Sequence, residues 1–118
     1  MNSEVRPWGS FHTLHEDELA PNKLLKIKRI VVKPGKRLSL QYHKQRAEHW
    51  YCVQGRGVAT IGDYQIEVWP GTSIDIMVNE KHRIECKDDS PDLVFIEVQT
   101  GTYLGEDDIV RLQDDYGR

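Results

Sequence analysis

Cysteine is scarce in this chain and long apolar runs are missing. Two cysteines, Cys52 and Cys86, among 118 residues are too few for a disulfide framework, and no Cys-x-x-Cys spacing exists. Strand parity places both toward an interior, where they are expected to act as small buried hydrophobes rather than redox or metal groups. No stretch approaches the roughly eighteen consecutive apolar residues of a membrane helix. No charged-then-apolar leader precedes the first turn residues, so the expectation is a cytoplasmic protein with no membrane partner. Charge of one sign is also missing: 16 basic and 19 acidic residues give a net charge of -3, which supplies no global field for nucleic acid. No internal repeat, low-complexity tract or linker interrupts the chain, and its length fits one domain over 1–118.

Short β-prone segments fill the chain instead. Turn signals recur at Pro34-Gly35, Gln54-Gly55, Gly62-Asp63, Trp69-Pro70-Gly71, Asn79-Glu80 and Asp88 to Asp92. Between them, Leu25–Lys33, Ser39–His43, Glu48–Val53, Val58–Ile61, Gln65–Trp69, Ser73–Ile76, His82–Cys86 and Leu93–Thr100 are rich in Val, Ile and aromatics at strand length. The pattern predicts an all-β sandwich or barrel, with the double-sheet jelly roll as one solution. Gly105–Leu112 reads as a short helix or turn.

Chemistry concentrates between Gly35 and Gly55. Gly35, five residues, Gln41, Tyr42, His43, four residues, Glu48, six residues and Gly55 follow a spacing that resembles the first cupin motif, with Gln41 where most metal cupins place histidine. A weaker second motif runs Gly71, Met77, Asn79, His82, Cys86, with Met77, Asn79 and Cys86 in place of the usual Pro, Gly and Asn. Period-two geometry puts Gln41 and His43 on one strand face. With Glu48 opening the next strand and His82 a third, Gln41, His43, Glu48 and His82 can converge on one divalent cation. That neutral-rich O/N set suits zinc first, and also Mn, Co, Ni or Fe. His49 falls on the face opposite Glu48, and His12 and His15 have no partner spacing, so these three are left outside the set.

A longer resemblance is carried by Arg6-Pro7-Trp8-Gly9-Ser10, Lys28-Arg29-Ile30, Leu38 to His43, Arg46-Ala47-Glu48-His49-Trp50, Ile96 to Gly101, Tyr103 to Arg111 and Tyr116-Gly117-Arg118. Together these segments are similar to the cupin module of type II mannose-6-phosphate isomerases, which often ends a longer enzyme that opens with a mannose-1-phosphate guanylyltransferase. No glycine-rich phosphate loop is visible here. The resemblance implies a double-stranded β-helix (cupin jelly-roll barrel), a homodimer, and a metal-dependent interconversion of mannose 6-phosphate and fructose 6-phosphate.

Such a reaction needs a Lewis acid, a base that carries a proton between C1 and C2, and a cation for the phosphate. Alternation along Leu93–Gln99 places Leu93, Phe95, Glu97 and Gln99 on one face, so Glu97 is the candidate base, with Gln99 beside it as a substrate contact. Its alternative reading is a glutamate at a sheet edge or dimer contact. Arg46 matches the family motif as a catalytic and substrate-binding cation, and Arg29, Lys44, Arg83 and Arg111 are further candidates for the sugar phosphate. Two competing functions stay open: a sugar- or sugar-phosphate-binding cupin without turnover, and a cupin dioxygenase, for which Gln41 leaves the three-histidine iron site incomplete.

Overall fold

Each turn signal closes a strand in the computed structural model, which describes residues 3–118. Eleven strands run in chain order among the described residues: β1 (Ser3–Arg6), β2 (Gly9–Ala20), β3 (Lys23–Val32), β4 (Leu40–Tyr42), β5 (Arg46–Gln54), β6 (Gly57–Ile61), β7 (Tyr64–Val68), β8 (Ser73–Ile76), β9 (His82–Cys86), β10 (Leu93–Gly101) and β11 (Val110–Gln113). They form two antiparallel sheets, ordered β1-β2-β3-β10-β5-β8 and β11-β4-β9-β6-β7. This is the jelly-roll arrangement expected from the sequence. Beyond the eight expected strands the structure adds β1, β2 and β11. The polar β2, one half of a long hairpin with β3, escaped the reading because its Glu16-Asp17-Glu18 end lacks apolar alternation. Gly105–Leu112, read as a short helix or turn, is a turn that leads into β11.

The same inward face changes character along each strand at the same level. On β10 the inward residues are Leu93 and Phe95, then Glu97 and Gln99; on β5 they are Cys52 and Trp50, then Glu48 and Arg46; on β3, Val32 and Ile30, then Lys28. On β9, Cys86 and Ile84 give way to His82. One end between the sheets is therefore an apolar core, centred on Val32, Cys52, Ile74, Ile84, Leu93 and Phe95. The other end is a polar cavity. Burying Phe95 or Leu93 contributes about 2–3 kcal/mol each, so the core end fixes the register that lines up the polar rows.

Two local features lock the polar end. Gly101 ends β10 where a Cβ would stand 2.1 Å from the backbone oxygen of Gln45, so only glycine lets β10 press against the start of β5. Asn79 takes φ 66° at the position where the second motif usually has glycine, and asparagine tolerates that left-handed conformation better than most residues. Its amide donates to the His43 carbonyl at 2.8 Å, tying the turn before β9 to the loop after β4. Cys52 and Cys86 are buried free thiols, as expected. No helix among the described residues is long and apolar enough to cross a membrane.

Candidate metal centre

His43, Glu48 and His82 reach the cavity from both sheets. Glu48 comes from β5 in the six-stranded sheet, His82 from the start of β9 in the five-stranded sheet, and His43 directly follows β4. Their ligand atoms all lie within 4.8 Å of one another, and all three residues are buried. His43 Nε2 is 3.2 Å from Glu48 Oε2, and His82 Nε2 is 3.8 Å from Glu48 Oε1.

Each imidazole is oriented from behind by a backbone carbonyl. His43 Nδ1 meets the Asp108 carbonyl at 2.5 Å and His82 Nδ1 meets the Glu80 carbonyl at 2.9 Å. Carbonyl acceptors select the Nδ1–H tautomer, which leaves both Nε2 lone pairs turned toward Glu48. That second layer of contacts is how metal-ligating histidines are ordinarily held. Burial lowers the His82 pKa, so its imidazole stays neutral, as a ligand must. Burial alone would raise Glu48, but in the metal-free cluster a proton held between it and the His43 or His82 imidazole, together with the Arg46 charge, outweighs burial and holds the carboxyl well below the usual range. Two neutral nitrogens and one carboxylate fit a divalent cation of borderline hardness. Gln41, paired with His82 across β4 and β9, also lines the cavity. Its amide nitrogen lies 3.5 Å from the Ser39 carbonyl, and its oxygen takes no hydrogen bond among the described residues, so it is free for a cation.

Arg46 connects this cluster to the rest of the cavity. Its Nε donates to Glu48 Oε2 at 2.9 Å, one terminal nitrogen reaches His43 Nε2 at 3.2 Å, and the other reaches Glu106 Oε2 at 3.3 Å. Burial opposes its charge, but Glu48, Glu97 and Glu106 outweigh that and raise its pKa.

Glu97 faces the cavity, and not a sheet edge. Across the register it stands between Lys28 on β3 and Trp50 on β5. The Trp50 indole N–H is shared between Glu48 Oε1 at 3.0 Å and Glu97 Oε2 at 3.1 Å, so one donor bridges both carboxyl groups. Burial, followed by the Glu48 charge, pushes Glu97 up to about 8. Gln99 Nε2 lies 2.5 Å from Glu97 Oε1, while Gln99 Oε1 is a buried acceptor without a partner among the described residues. A half-turn of that amide would present the orphan oxygen to a protonated Glu97.

The remaining expectations divide by strand face. Arg111, paired with Gln41, and the buried Arg83 line the cavity. Arg83 donates to the Leu38 carbonyl and to Gln113, so its hydrogen bonds are structural. Arg29 is corrected: it is exposed on the face of β3 opposite Lys28 and does not line the cavity. Lys44 is corrected too, since it is exposed in the β4–β5 loop, where its backbone amide donates to Asp108 Oδ1. Gln99 is fully buried behind Glu97 and does not line the cavity, so it supports Glu97 instead of meeting a ligand there. His49 pairs with Asp75 on the outer face, His15 is exposed and His12 meets Ser3, all away from the cluster.

Four residues of the site went unread. Trp50 and Lys28 share inward parity with Glu48 and Ile30, a signal that was available. Asp108 and Glu106 sit in the β10–β11 connection, whose approach to His43 and Arg46 no local pattern announces.

The sequence matches the mannose-6-phosphate isomerase C-terminal family over residues 1–114. It is 45% identical over 113 residues to the xanthan biosynthesis protein XanB of Xanthomonas campestris pv. campestris, covering 96% of this chain and 23% of that protein. Similarity is equal to the alginate biosynthesis protein AlgA of Pseudomonas aeruginosa, at 45% identity over 96% of this chain and 22% of that protein. The mannose-1-phosphate guanylyltransferase ManC of Salmonella typhimurium is 42% identical over the whole chain and 24% of its own length. The chain thus spans about a quarter of the length of the relatives it matches. Among solved structures, an oxalate decarboxylase variant of Bacillus subtilis superposes with a TM-score of 0.78 at 23% identity, over 94% of this chain and 30% of the other. KdgF from a Halomonas species gives 0.74 at 16% identity, over 91% and 90% of the two chains. A cupin-2 domain from Rhodospirillum rubrum gives 0.63 at 22%, over 84% and 67%. These structural likenesses establish the cupin fold.

Proposed function

The chain belongs to the mannose-6-phosphate isomerase C-terminal family, and from that premise we propose that it is a metal-dependent aldose-ketose isomerase that interconverts mannose 6-phosphate and fructose 6-phosphate. The observation that carries this reading is the convergence of His43, Glu48 and His82 within 4.8 Å, with a second buried carboxyl, Glu97, lining the same cavity. His43, Glu48, His82 and Gln41 would hold the cation, zinc being the first choice for this donor set. When bound, a divalent cation supplies Lewis-acid polarisation of the sugar oxygens.

The chain's own residues do the rest. Glu97 takes the proton from C2 of the aldose and returns it to C1 while the hydroxyl proton passes from O2 to O1, giving the ketose through an enediol, and reverses the order in the other direction. A carboxyl group with a pKa of about 8 is suited to both halves of that transfer, because it neither holds nor releases the proton too strongly near neutral pH. Trp50 fixes the carboxyl through its indole N–H. Arg46 and Arg111 present positive charge to an anionic substrate and to the oxygen charge that develops in the enediol. The departures at Asn79 and Cys86 do not disturb this arrangement, since Asn79 makes the required turn and Cys86 packs in the core.

The test is an incubation of metal-loaded chain with mannose 6-phosphate. Fructose 6-phosphate should form, and His43→Ala and Glu97→Gln should each lower the rate by two orders of magnitude or more, in the range of about 10²–10⁴-fold for a positioned acid-base group. Saturable binding of the sugar phosphate without turnover would instead mark a binding module.

A further inference from the structure

A buried pair of cations, Lys28 and Arg46, lines the cavity beside Glu106. Lys28 is 3% exposed and Arg46 is 7% exposed. A buried ammonium and a buried guanidinium need anions beside them; Arg46 has Glu48 on one side, and Glu106 is the carboxylate that the two cations share. Glu106 Oε1 accepts from Lys28 Nζ at 2.9 Å, and Glu106 Oε2 accepts from Arg46 at 3.3 Å. Lys28 Nζ is held in place by the Phe11 ring, 4.1 Å below it. The two cations belong to strands of the rigid six-stranded sheet, whereas Glu106 belongs to the irregular β10–β11 connection and its side chain is 45% exposed. The fixed partners are the cations, and the replaceable partner is the anion.

The position of this pair has a chemical meaning. One guanidinium touches His43 with one terminal nitrogen and Glu106 with the other, so the anion place and the histidine-glutamate cluster flank a single side chain. Lys28 is also the cross-strand partner of Glu97. A hexose phosphate whose carbonyl end reached Glu97 would carry its phosphate into this neighbourhood. As it stands, the cavity measures about 100 Å³, below the roughly 300–1,000 Å³ usual for small-molecule sites, and Glu106 is part of its wall.

We propose that Lys28 and Arg46 form the phosphate-binding pair of this site, and that Glu106 is an internal stand-in for the phosphate which the substrate displaces on binding. A phosphate dianion offers more charge and more acceptor oxygens than the carboxylate it replaces, and an uncharged sugar offers neither, so the exchange discriminates by the phosphate. The exchange keeps both cations paired in the empty and the filled site. It rests on the isomerase reading for the identity of the sugar, but not for the anion site itself.

The test measures binding of inorganic phosphate, mannose 6-phosphate and mannose by calorimetry on the chelator-treated chain, at fixed ionic strength. Glu106→Gln should tighten both phosphate ligands by roughly tenfold, the worth of one charge-assisted hydrogen bond. Lys28→Met, which keeps the aliphatic stem, should weaken both by a similar factor, and mannose should not bind detectably in any variant. In the unmodified chain, phosphate should accelerate amide hydrogen exchange at Glu106 and Asp107 as the carboxylate is released. A Glu106→Gln chain whose phosphate affinity is unchanged or weaker overturns the proposal, as does exchange that stays constant or slows, and the exchange result stands even should a variant not fold. Phosphate binding that responds as stated in a chain without isomerase turnover upholds the anion site and removes the isomerase reading. Turnover with phosphate binding indifferent to Glu106 does the reverse.

Discussion

Replacing Glu97 with glutamine removes one proton-binding group from the polar cavity, and its consequence can be worked out for the chain stripped of metal. Burial and the Glu48 charge raise this carboxyl from the ordinary 4.5 to about 8. Since the folded chain binds the proton more tightly than the unfolded one, its contribution to stability is complete below pH 4.5 and is lost as pH rises through 8. At about 1.36 kcal/mol per pKa unit the ceiling on that loss is about 5 kcal/mol, and relaxation with water entry on ionisation brings the expectation to roughly 2–3 kcal/mol. Glu48 titrates in the opposite sense. Its carboxyl is lowered, so its contribution holds above the unfolded value and is lost as pH falls; His82, lowered by burial, adds stability as pH rises to its ordinary 6.5, and both contributions are shared by the two chains, so Glu97 is read from their difference.

Glutamine can occupy the place with little strain. Its amide oxygen can still accept from Trp50, and its new N–H finds an acceptor in Gln99 Oε1, the buried oxygen without a partner. Urea unfolding in the presence of a chelator, at pH 5, 7 and 9, should therefore show the unmodified chain losing stability relative to Glu97→Gln as pH rises, the His82 contribution being common to both. Parallel pH profiles for the two chains would refute the assignment of Glu97 as a buried, proton-retaining carboxyl, and with it the base in the proposed isomerisation.

Two other substitutions probe how the site is held. Asp108 receives the amides of Lys44 and Gln45 on its carboxylate and His43 Nδ1 on its carbonyl; Asp108→Asn should cost about 1–2 kcal/mol through one lost amide bond. It should also weaken cobalt binding, followed by visible absorption, by roughly tenfold, and unchanged metal affinity would show that the loop does not position His43. Gly101→Ala would drive a Cβ to 2.1 Å from the Gln45 oxygen, and should destabilise the chain by about 2–4 kcal/mol in thermal unfolding, in the upper range for single substitutions; a neutral result would mean that β10 and β5 can part without loss.

Much of the centre could be read along the chain because strand periodicity is local. Gln41 and His43 are two residues apart, Glu48 and Trp50 alternate with His49, and Glu97 alternates with Val98, so parity alone sorted cavity-facing from outward residues. Parity applied to β3 would have preferred Lys28 to Arg29, since Ile30 and Val32 mark the inward face; the basic character common to both residues hid the difference. Turn chemistry likewise located His82 at the start of its strand, with Asn79 making the bend.

Sequence by itself thus determined most of the strands, the inward rows of the site and the chemical types of the ligands, all of which depend on spacing within a few residues. Only the tertiary structure decided which rows face each other: that Glu48 from one sheet meets His82 from the other, that Trp50 shares its N–H between Glu48 and Glu97, and that Glu106, 78 residues from Lys28, closes its charge. Those meetings are set by sheet order and by a loop whose path follows from packing against β3 and β5, and pairings between distant segments leave no periodic trace in a single chain.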